Sequence, residues 1–346
     1  MNNVSILNTS PPCPLVHMRC TRDISSRMRR PVGLAGRRAA STLASSFEVR
    51  GIGLHSGETS CVRVHPAEDG RIVFRRVDIK DAVPITASVS SVVSTTLSTT
   101  LGDGASTSVA TVEHLMAALC GTGVRSCVVD VDGPELPLLD GSAAEWVEAI
   151  YAAGLKPHDN GTRFEAIRLH RPVSVQDGDS WAIALPASTP KLTVGIDFDG
   201  HAAIGRQWAS WEAPSSSVGS SSASDSFAAA VAPARTFALA EHIDAMRAQG
   251  LIRGGSLENA IVCDAMRGWL NPSGVRYDNE PARHKLLDLM GDLALLPGHA
   301  LPRCHVVAFK AGHALHVALG RAMQTAMDAD AEASDAGSGE RNPEHR

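Results

Sequence analysis

An imidazole and a carboxylate stand four residues apart in Arg283-His284-Lys285-Leu286-Leu287-Asp288, a segment whose apolar residues repeat with helical spacing. At this spacing two side chains project from the same face of a helix, one turn apart. They can ligate one divalent metal ion, with the remaining ligands supplied by other segments. By itself the spacing is weak evidence, because the same pair also forms ordinary ion pairs on helix surfaces.

A third donor stands in the run Thr111-Val112-Glu113-His114-Leu115, where a carboxylate lies directly beside a histidine. His114, His284 and Asp288 form the kind of set that holds a catalytic zinc ion and leaves one position open. Glu113 has three possible roles: a zinc ligand, an acid on the helix surface, or a general base for the attacking water. The chain contains no H-E-x-x-H sequence, which excludes the common metalloprotease site.

Three other segments carry reactive groups but indicate no function alone. Arg235-Thr236-Phe237 places a hydroxyl between a cation that could serve an oxyanion and an aromatic ring. Lys310-Ala311-Gly312-His313 places a histidine after a glycine, where another backbone can approach closely. Glu241-His242 repeats the Glu-His pair of residues 113 and 114, but in a segment with the pattern of an ordinary amphipathic helix.

Length and composition indicate a globular protein with room for two domains. The 346 residues suffice for roughly two cores of ordinary size. A net charge of -5 gives no reason to expect a nucleic-acid partner, and no apolar run reaches the length of a transmembrane helix. The seven cysteines are scattered without a C-x-x-C pair, so a reducing compartment fits best. Cys263 follows an apolar run and is expected to be buried.

Residues 1–46 differ from the rest of the chain. They contain seven arginines, no lysine, many serines and one acidic residue, Asp23. This composition is typical of an organellar transit peptide. The simpler alternative is a disordered start, since Met18 and Met28 also offer initiation sites. We expect a mitochondrial location, with a plastid or the cytoplasm as the alternatives.

The apolar patterns predict an α+β protein in which residues 47–156 form a first domain and residues 157–325 form a second of similar order. Strands of the first half are expected at 47–54, 62–65, 71–77 and 124–131, and helices at 111–119 and 142–153, the latter with Ser142 as its cap and Glu145 at the capping-box position. In the second half, strands are expected at 164–175, 181–185, 192–198 and 259–263, and helices at 239–249 and around His284. A serine-rich surface loop near 215–226 and a disordered acidic tail over 326–346 complete the prediction.

These segments, with Gly53-Leu54-His55-Ser56-Gly57 and Leu139-Asp140-Gly141-Ser142-Ala143, form an ordered series between about residues 47 and 325. The series resembles the UDP-3-O-acyl-N-acetylglucosamine deacetylases, the zinc amidases of lipid A biosynthesis. Several independent motifs in the family's order argue against chance agreement. The resemblance implies hydrolysis of the acetamide of UDP-3-O-(3-hydroxyacyl)-N-acetylglucosamine to the free amine and acetate, an early committed step of lipid A biosynthesis, with one catalytic zinc ion.

The resemblance also assigns roles to particular residues. His114, His284 and Asp288 match the zinc ligands, and Glu113 matches the general base that takes a proton from the attacking water. His313 matches the cationic histidine that stabilises developing charge and protonates the leaving amine. Two further catalytic residues are implied: Asp292, which orients His313, and Thr236, whose hydroxyl helps to hold the oxyanion. The expected substrate-binding residues are Lys285, Phe237, Gly255, Ile243, Leu54 and His55.

The family fold implied by the resemblance is two α+β domains, each a sheet packed on a pair of helices, with the active site between them. An insert at about 237–262 would form an apolar passage for the fatty acyl chain, and the protein would be a monomer, with the basic extension favouring a eukaryotic organellar member. One rival is a zinc amidase acting on another acetylated sugar nucleotide. A second is a catalytically silent glycolipid-binding protein, against which the retained Glu113 and His313 argue.

Overall fold

A computed structural model of the protein describes residues 41–158, 168–214 and 226–338, and these combine strands and helices as an α+β protein should. The strands are β1 (Ser41–Leu43), β2 (Phe47–Ile52), β3 (Thr59–Pro66), β4 (Ile72–Arg76), β5 (Ile85–Thr86), β6 (Val92–Ser94), β7 (Thr100–Gly102), β8 (Ser108–Val109), β9 (Val124–Val131), β10 (Leu155–Pro157), β11 (Val173–Asp177), β12 (Ser180–Pro186), β13 (Lys191–Phe198), β14 (Gly205–Glu212), β15 (Phe237–Leu239), β16 (Ile261–Asp264), β17 (Gly268–Trp269) and β18 (Cys304–Phe309). The helices are α1 (Glu113–Thr122), α2 (Ala144–Ala153), α3 (Phe227–Ala230), α4 (Ala240–Ala248), α5 (Glu280–Leu293) and α6 (His313–Ser338). The α+β class is therefore confirmed.

A seven-stranded sheet is built around β9. Its main order is β10-β1-β9-β3-β2, and β4 adds to β9 in parallel while pairing with β5 on its other side. The apolar and polar residues that alternate in the sequence of β3 point to opposite faces of the sheet. Val62 and Val64 are fully buried, whereas Arg63 between them is exposed. Helix α1 packs on β9, and α2 packs on β2.

A second, five-stranded sheet has the order β11-β12-β18-β13-β14, with β18 parallel to β13. Helix α5 packs against β13 and β14, and α6 packs against β11 and β12. Strands β14 and β18 were absent from the sequence prediction. In β14 the outward positions alternate with the buried Ala209 and Trp211. Small and aromatic residues occur on both faces, so the sequence lacks a clear alternation of apolar and polar residues.

Helices α1 and α5 meet at very close range. A Cβ atom at Gly291 of α5 would lie 2.1 Å from the backbone oxygen of Glu113 at the start of α1. Only glycine permits this approach. Twelve of the fourteen residues of α5 are buried, because α1, α6 and the second sheet cover it on several sides.

Two small sheets complete the fold. Strands β6, β7 and β8 form a three-stranded sheet whose β6–β7 turn contains Leu97, Ser98 and Thr99. Strands β15, β16 and β17 form another, which with α4 occupies the predicted insert at 237–262 and extends beyond it to Trp269. Cys263, in β16, is fully buried as expected.

Two expected boundaries were wrong. The ordered chain begins before residue 47, because β1 lies between β9 and β10 and buries Leu43 completely. Three residues are too few to show a pattern. Helix α2 begins at Ala144, with no side-chain cap, because Ser142 instead hydrogen-bonds to Asp140 and accepts the Ala144 N–H in a turn before the helix.

The predicted disordered tail was wrong as far as Ser338. Helix α6 continues into this segment as far as Ser338, and Met323 and Ala326 are buried on its inner face, whereas residues 339–346 lie outside the described part of the chain. The alanine-rich sequence favours helix, which outweighs the acidic composition that suggested disorder. The division into two domains at residue 156 stays a prediction. Residues 1–40, the first part of the strand expected at 164–175, and the serine-rich stretch over 215–225 lie outside the described residues.

Among the described helices, none combines the length and the hydrophobicity of a bilayer-spanning segment.

Replacing Gly291 by alanine should lower the free energy of unfolding by about 1–3 kcal/mol, because the new methyl group must push α1 away from α5. The matched control is Gly312→Ala, where a Cβ would meet nothing within 4 Å. Urea denaturation of both variants measures the difference. Equal stability of Gly291→Ala and the wild-type chain would contradict the close contact.

Candidate metal centre and active site

Three buried side chains from α1 and α5 converge on one point. Nε2 of His114 lies 3.7 Å from Oδ1 of Asp288, and Nε2 of His284 lies 3.3 Å from the same oxygen. The three potential ligand atoms all lie within 4.8 Å of one another. The structure therefore brings together the three residues predicted as metal ligands.

The protonation of this cluster suits a metal ion. Burial lowers the pKa of His114 to about 3 and also lowers the pKa of His284, so both rings are neutral and carry a lone pair. Nδ1 of His284 donates to the backbone oxygen of Ala234 at 3.0 Å, which directs the lone pair of Nε2 toward Asp288. Two neutral imidazoles and a carboxylate form a donor set that fits a zinc ion.

Glu113 stands beside this cluster without belonging to it. Its Oε2 accepts the backbone N–H of Thr99 at 3.0 Å, and its Oε1 lies 3.8 Å from Nε2 of His313. Burial raises the pKa of Glu113 to about 7, although the positive charge of His313 opposes this shift. A carboxylate with this pKa can both accept and release a proton near neutral pH.

His313 begins α6 and pairs with Asp292. Its Nδ1 lies 2.9 Å from Oδ2 of Asp292. Burial alone would lower the pKa of His313, but the negative charges of Asp292 and Glu113 outweigh it and raise the pKa to about 9. At neutral pH His313 is therefore a cation that faces a carboxylate on each side.

Two residues of this network were missed by sequence reasoning. The hydroxyl of Thr99 donates to Oδ1 of Asp292 at 2.5 Å, and Nδ1 of His316 lies 2.9 Å from Oδ2 of the same carboxylate. Nothing in the local sequence distinguishes Thr99 from its neighbours. The spacing of three residues between His313 and His316 would have indicated a shared helix face once α6 was recognised.

A cavity over the ligand cluster gathers most of the predicted site residues. Besides the three candidate ligands, Glu113 and His313, the predicted residues that line it are Leu54, Thr236 and Lys285. Asp292 lies behind His313 and is 1% exposed. The structure thus brings most of the predicted site residues together around one cavity.

The Leu139–Ala143 motif positions Thr236. The backbone N–H of Thr236 donates to the oxygen of Gly141 at 2.8 Å, and a Cβ at Gly141 would lie 2.0 Å from the oxygen of Asn259. Gly141 also has a φ of +85°, so a glycine is required on both counts. The neighbouring Arg235, a cation that could have served an oxyanion, is instead buried in an ion pair with Glu280 at 2.9 Å.

Two neighbouring loops carry the predicted substrate-binding residues Gly255 and His55. The backbone N–H of Gly254 donates to the oxygen of Leu54 at 3.0 Å, which places Gly255 next to the loop that contains His55. Buried Glu135, a residue not predicted, accepts the N–H groups of His55 and Ser56 at 2.9 and 2.8 Å. Glu135 therefore anchors the loop that brings Leu54 to the cavity.

The aromatic and apolar candidates lie further out. The ring centroid of Phe237 lies 5.8 Å from Nζ of Lys285 and 5.3 Å from the ring centroid of Phe198. Nζ of Lys285 also pairs with Oδ2 of Asp288 at 2.9 Å. Ile243 is half-buried on α4. Among the described residues, it is not one of those that line the cavity.

A buried His-His-Asp cluster, with a carboxylate and a cationic histidine beside it on an α+β fold, defines a metal-dependent hydrolase. The sequence profile of the LpxC family, UDP-3-O-acyl N-acetylglycosamine deacetylase, matches residues 40–325. The chain belongs to this family, whose members are zinc-dependent amidohydrolases.

Individual relatives agree with this assignment. The UDP-3-O-acyl-N-acetylglucosamine deacetylase of Nostoc sp. is 46% identical over 279 residues, covering 80% of this chain and 95% of the relative. The enzyme of the same name from Trichormus variabilis is 47% identical over 282 residues, with coverage of 80% and 95%. "Probable UDP-3-O-acyl-N-acetylglucosamine deacetylase 1, mitochondrial" of Arabidopsis thaliana is 42% identical over 300 residues, with coverage of 82% and 87%.

Replacing His284 by alanine should reduce bound zinc from about one ion per chain to a small fraction, because one of three protein ligands is lost. The control is His242→Ala, which removes a histidine from the exposed Glu-His pair on α4 and should leave the zinc content unchanged. Elemental analysis after dialysis against a weak chelator gives both values. Tightly bound stoichiometric zinc in His284→Ala would exclude His284 as a ligand.

Proposed function

We propose that this chain hydrolyses the acetamide of UDP-3-O-(3-hydroxyacyl)-N-acetylglucosamine, releasing acetate and the free amine at an early committed step of lipid A biosynthesis. The observation that carries the proposal is the arrangement of Glu113 and His313 on the cavity wall next to the His114–His284–Asp288 cluster. Family membership supports the same reaction. Amide hydrolysis needs an activated water, a polarised carbonyl and a proton for a poor leaving group, and this site has a group for each.

The metal and the base serve the first half of the reaction. His114, His284 and Asp288 would hold a zinc ion, which supplies Lewis-acid activation of water and of the acetamide carbonyl. Glu113 accepts the proton of the attacking water. Its pKa of about 7 means that a substantial fraction of the carboxylate is ionised near neutral pH, and the Thr99 N–H fixes the orientation of the carboxylate.

His313 serves the second half. Asp292 accepts the hydrogen of Nδ1, so the hydrogen of Nε2 is directed toward Glu113 and the cavity. The protonated ring stabilises the negative charge that develops on the substrate and then donates its Nε2 proton to the leaving amine. The hydroxyl of Thr236, on the cavity wall, provides a further hydrogen-bond donor for the oxyanion.

Substrate binding is assigned to the residues around the cavity mouth. Lys285 and Phe237 offer a cation and an aromatic ring 5.8 Å apart. Leu54 lines the same cavity as Lys285, and the loop with Gly255 adjoins the loop with Leu54 and His55. Helix α4, with Ile243 half-buried on it, contains no fully buried residue. Its apolar side chains are therefore not committed to the core, which suits an insert that receives a fatty acyl chain.

Two other functions compete with this proposal. A zinc amidase acting on another acetylated sugar nucleotide would use the same catalytic groups and differ only in substrate contacts. A silent glycolipid-binding protein would have no need for a buried base with a pKa of about 7 opposite a buried histidine with a pKa of about 9. The coupled pair therefore favours an enzyme.

We also propose the domain arrangement, oligomeric state and location that the family suggests. Residues 47–156 and 157–325 would form two domains, since α1 and α2 pack on the first sheet and α5 and α6 pack on the second. The protein would be a monomer. An organellar, mitochondrial location is supported by the arginine-rich residues 1–46 and by the names of the Arabidopsis relatives.

Glu113→Ala should retain about one zinc per chain but lose roughly 10²–10⁴-fold in kcat, because the base is removed while the ligands remain. The purified mature chain is assayed for acetate release from UDP-3-O-(3-hydroxymyristoyl)-N-acetylglucosamine. The control is Glu48→Ala, which removes an exposed glutamate on β2 and should leave kcat unchanged. Full turnover by Glu113→Ala would remove the base assignment, and an inactive wild-type chain would refute the proposed reaction.

A fusion of residues 1–50 to a fluorescent protein should enter mitochondria when expressed in plant cells, because arginine-rich, acid-poor leaders are imported. The control replaces the seven arginines of residues 1–46 by glutamine and should remain cytosolic. Cytosolic fluorescence from the unchanged fusion would refute targeting, and fluorescence in plastids would correct the organelle.

A further inference from the structure

His316 is a buried histidine that the proposed mechanism does not use. It follows His313 by three residues on α6, so the two rings project from neighbouring positions of one helix face. Its side chain is 0% exposed. Its Nδ1 lies 2.9 Å from Oδ2 of Asp292, and Nδ1 of His313 lies 2.9 Å from the same oxygen. One carboxylate oxygen of α5 thus joins two imidazoles of α6.

The surroundings define the protonation of this group. Burial lowers the pKa of His316, so its ring is neutral at physiological pH. Burial would raise the pKa of Asp292, but the charge of His313 and the hydrogen bonds from both histidines outweigh it and lower the pKa. Because Asp292 is an anion that only accepts, neutral His316 carries its hydrogen on Nδ1 and donates it.

Packing alone does not explain a histidine at this position. The neighbouring Val317 and Leu319 of α6 are apolar and at most 2% exposed. The Nε2 atom of His316 is buried and has no hydrogen-bond partner among the residues that the structure describes, which costs free energy. The hydrogen bond to Asp292 is the interaction that offsets this cost.

The donors around Asp292 fix its orientation. The Thr99 hydroxyl donates to Oδ1, and His313 and His316 both contact Oδ2 through Nδ1. With both oxygens engaged, the carboxylate cannot rotate away from His313. The hydrogen bond from His316 also draws charge from Oδ2, which weakens the hold of Asp292 on the proton of His313.

Building on the proposed function, we propose that His316 is a positioning residue for His313. Its Nδ1–H holds the carboxylate of Asp292 against His313 and moderates the negative charge of that carboxylate. His313 is therefore kept in place and protonated, yet still releases its proton to the leaving amine.

Other ionisable groups also act on these two histidines and must stay unchanged in a test. They are Glu113 and His114 on α1, His284, Asp288 and Asp292 on α5, and His55 in the loop after β2. A substitution at residue 316 alters none of them. A change in the titration of His313 therefore reports the bond between His316 and Asp292.

The test compares His316→Leu, which removes the donor, with His316→Asn, whose amide nitrogen can take the place of Nδ1. NMR of the zinc-loaded protein, with isotope-labelled histidine and with His313 assigned from His313→Gln, follows the titration of His313 directly. We expect the pKa of His313 to rise by about half a unit in His316→Leu, because Asp292 then acts on His313 alone. His316→Asn should restore the wild-type value.

The kinetics should change in the same sense. In His316→Leu, kcat should fall about three- to tenfold with little change in KM, and the alkaline limb of kcat/KM should move to higher pH. In Asp292→Asn the same limb should move to lower pH, because the charge that raises the pKa of His313 is gone. Val317→Ala, a packing control on the same helix, should lower the melting temperature and leave the titration of His313 unchanged.

Two results separate the possible failures. If His313 in His316→Leu titrates as in the wild-type chain, and only the melting temperature falls as in Val317→Ala, His316 is a packing residue and the positioning role is overturned. If the NMR titration shifts as expected but the wild-type chain releases no acetate from the substrate, the proposed reaction fails and the positioning role stands.

Discussion

The close contact between α1 and α5 is the constraint on which the site depends. Gly291 lets the backbone of α5 approach the Glu113 carbonyl at a distance that any side chain would prevent. Residues 113 and 114 at the start of α1 then meet the i, i+4 series of α5, which supplies His284, Asp288 and, one turn further on, Asp292. A wider helix spacing would separate Glu113 and His114 from His284 and Asp288. Packing and chemistry are therefore set by the same contact.

Burial gives this polar cluster its chemical properties. Desolvation raises the pKa of Glu113 and lowers the pKa of His114, whereas nearby carboxylates more than compensate for desolvation at His313. One environment thus yields a carboxyl group that titrates near neutral pH, a neutral imidazole and a cationic imidazole. The donors around Asp292 complete the arrangement, because a buried carboxylate is tolerated only when its oxygens are hydrogen-bonded. Hydrogen bonds and burial thus fix the orientation of these groups, which suits positioned acid–base chemistry.

Local patterns in the sequence predicted much of the fold. The alternating runs of β3, β9, β12 and β13 and the helical periods of α1 and α5 lie where they were expected, since each has one strongly apolar face. Strand β1 was missed because three residues carry no period, and β14 and β18 because their faces are mixed in character. The last turns of α6 were mistaken for a disordered tail, because composition was weighed above helix propensity.

The sequence alone indicated the family, because several short motifs follow one another in the family's order. The proposed metal ligands and the proposed acid–base pair came from that resemblance, and only the pairing of His284 with Asp288 reflects local helix spacing. Only the tertiary structure showed which atoms meet. Thr99, Glu135 and His316 act on the site through hydrogen bonds to residues far away in the chain, and Arg235 turned out to serve the ion pair with Glu280. Such partners leave no local pattern, because a hydrogen bond across 24 to 193 positions depends on how whole elements pack and not on the spacing within any one of them.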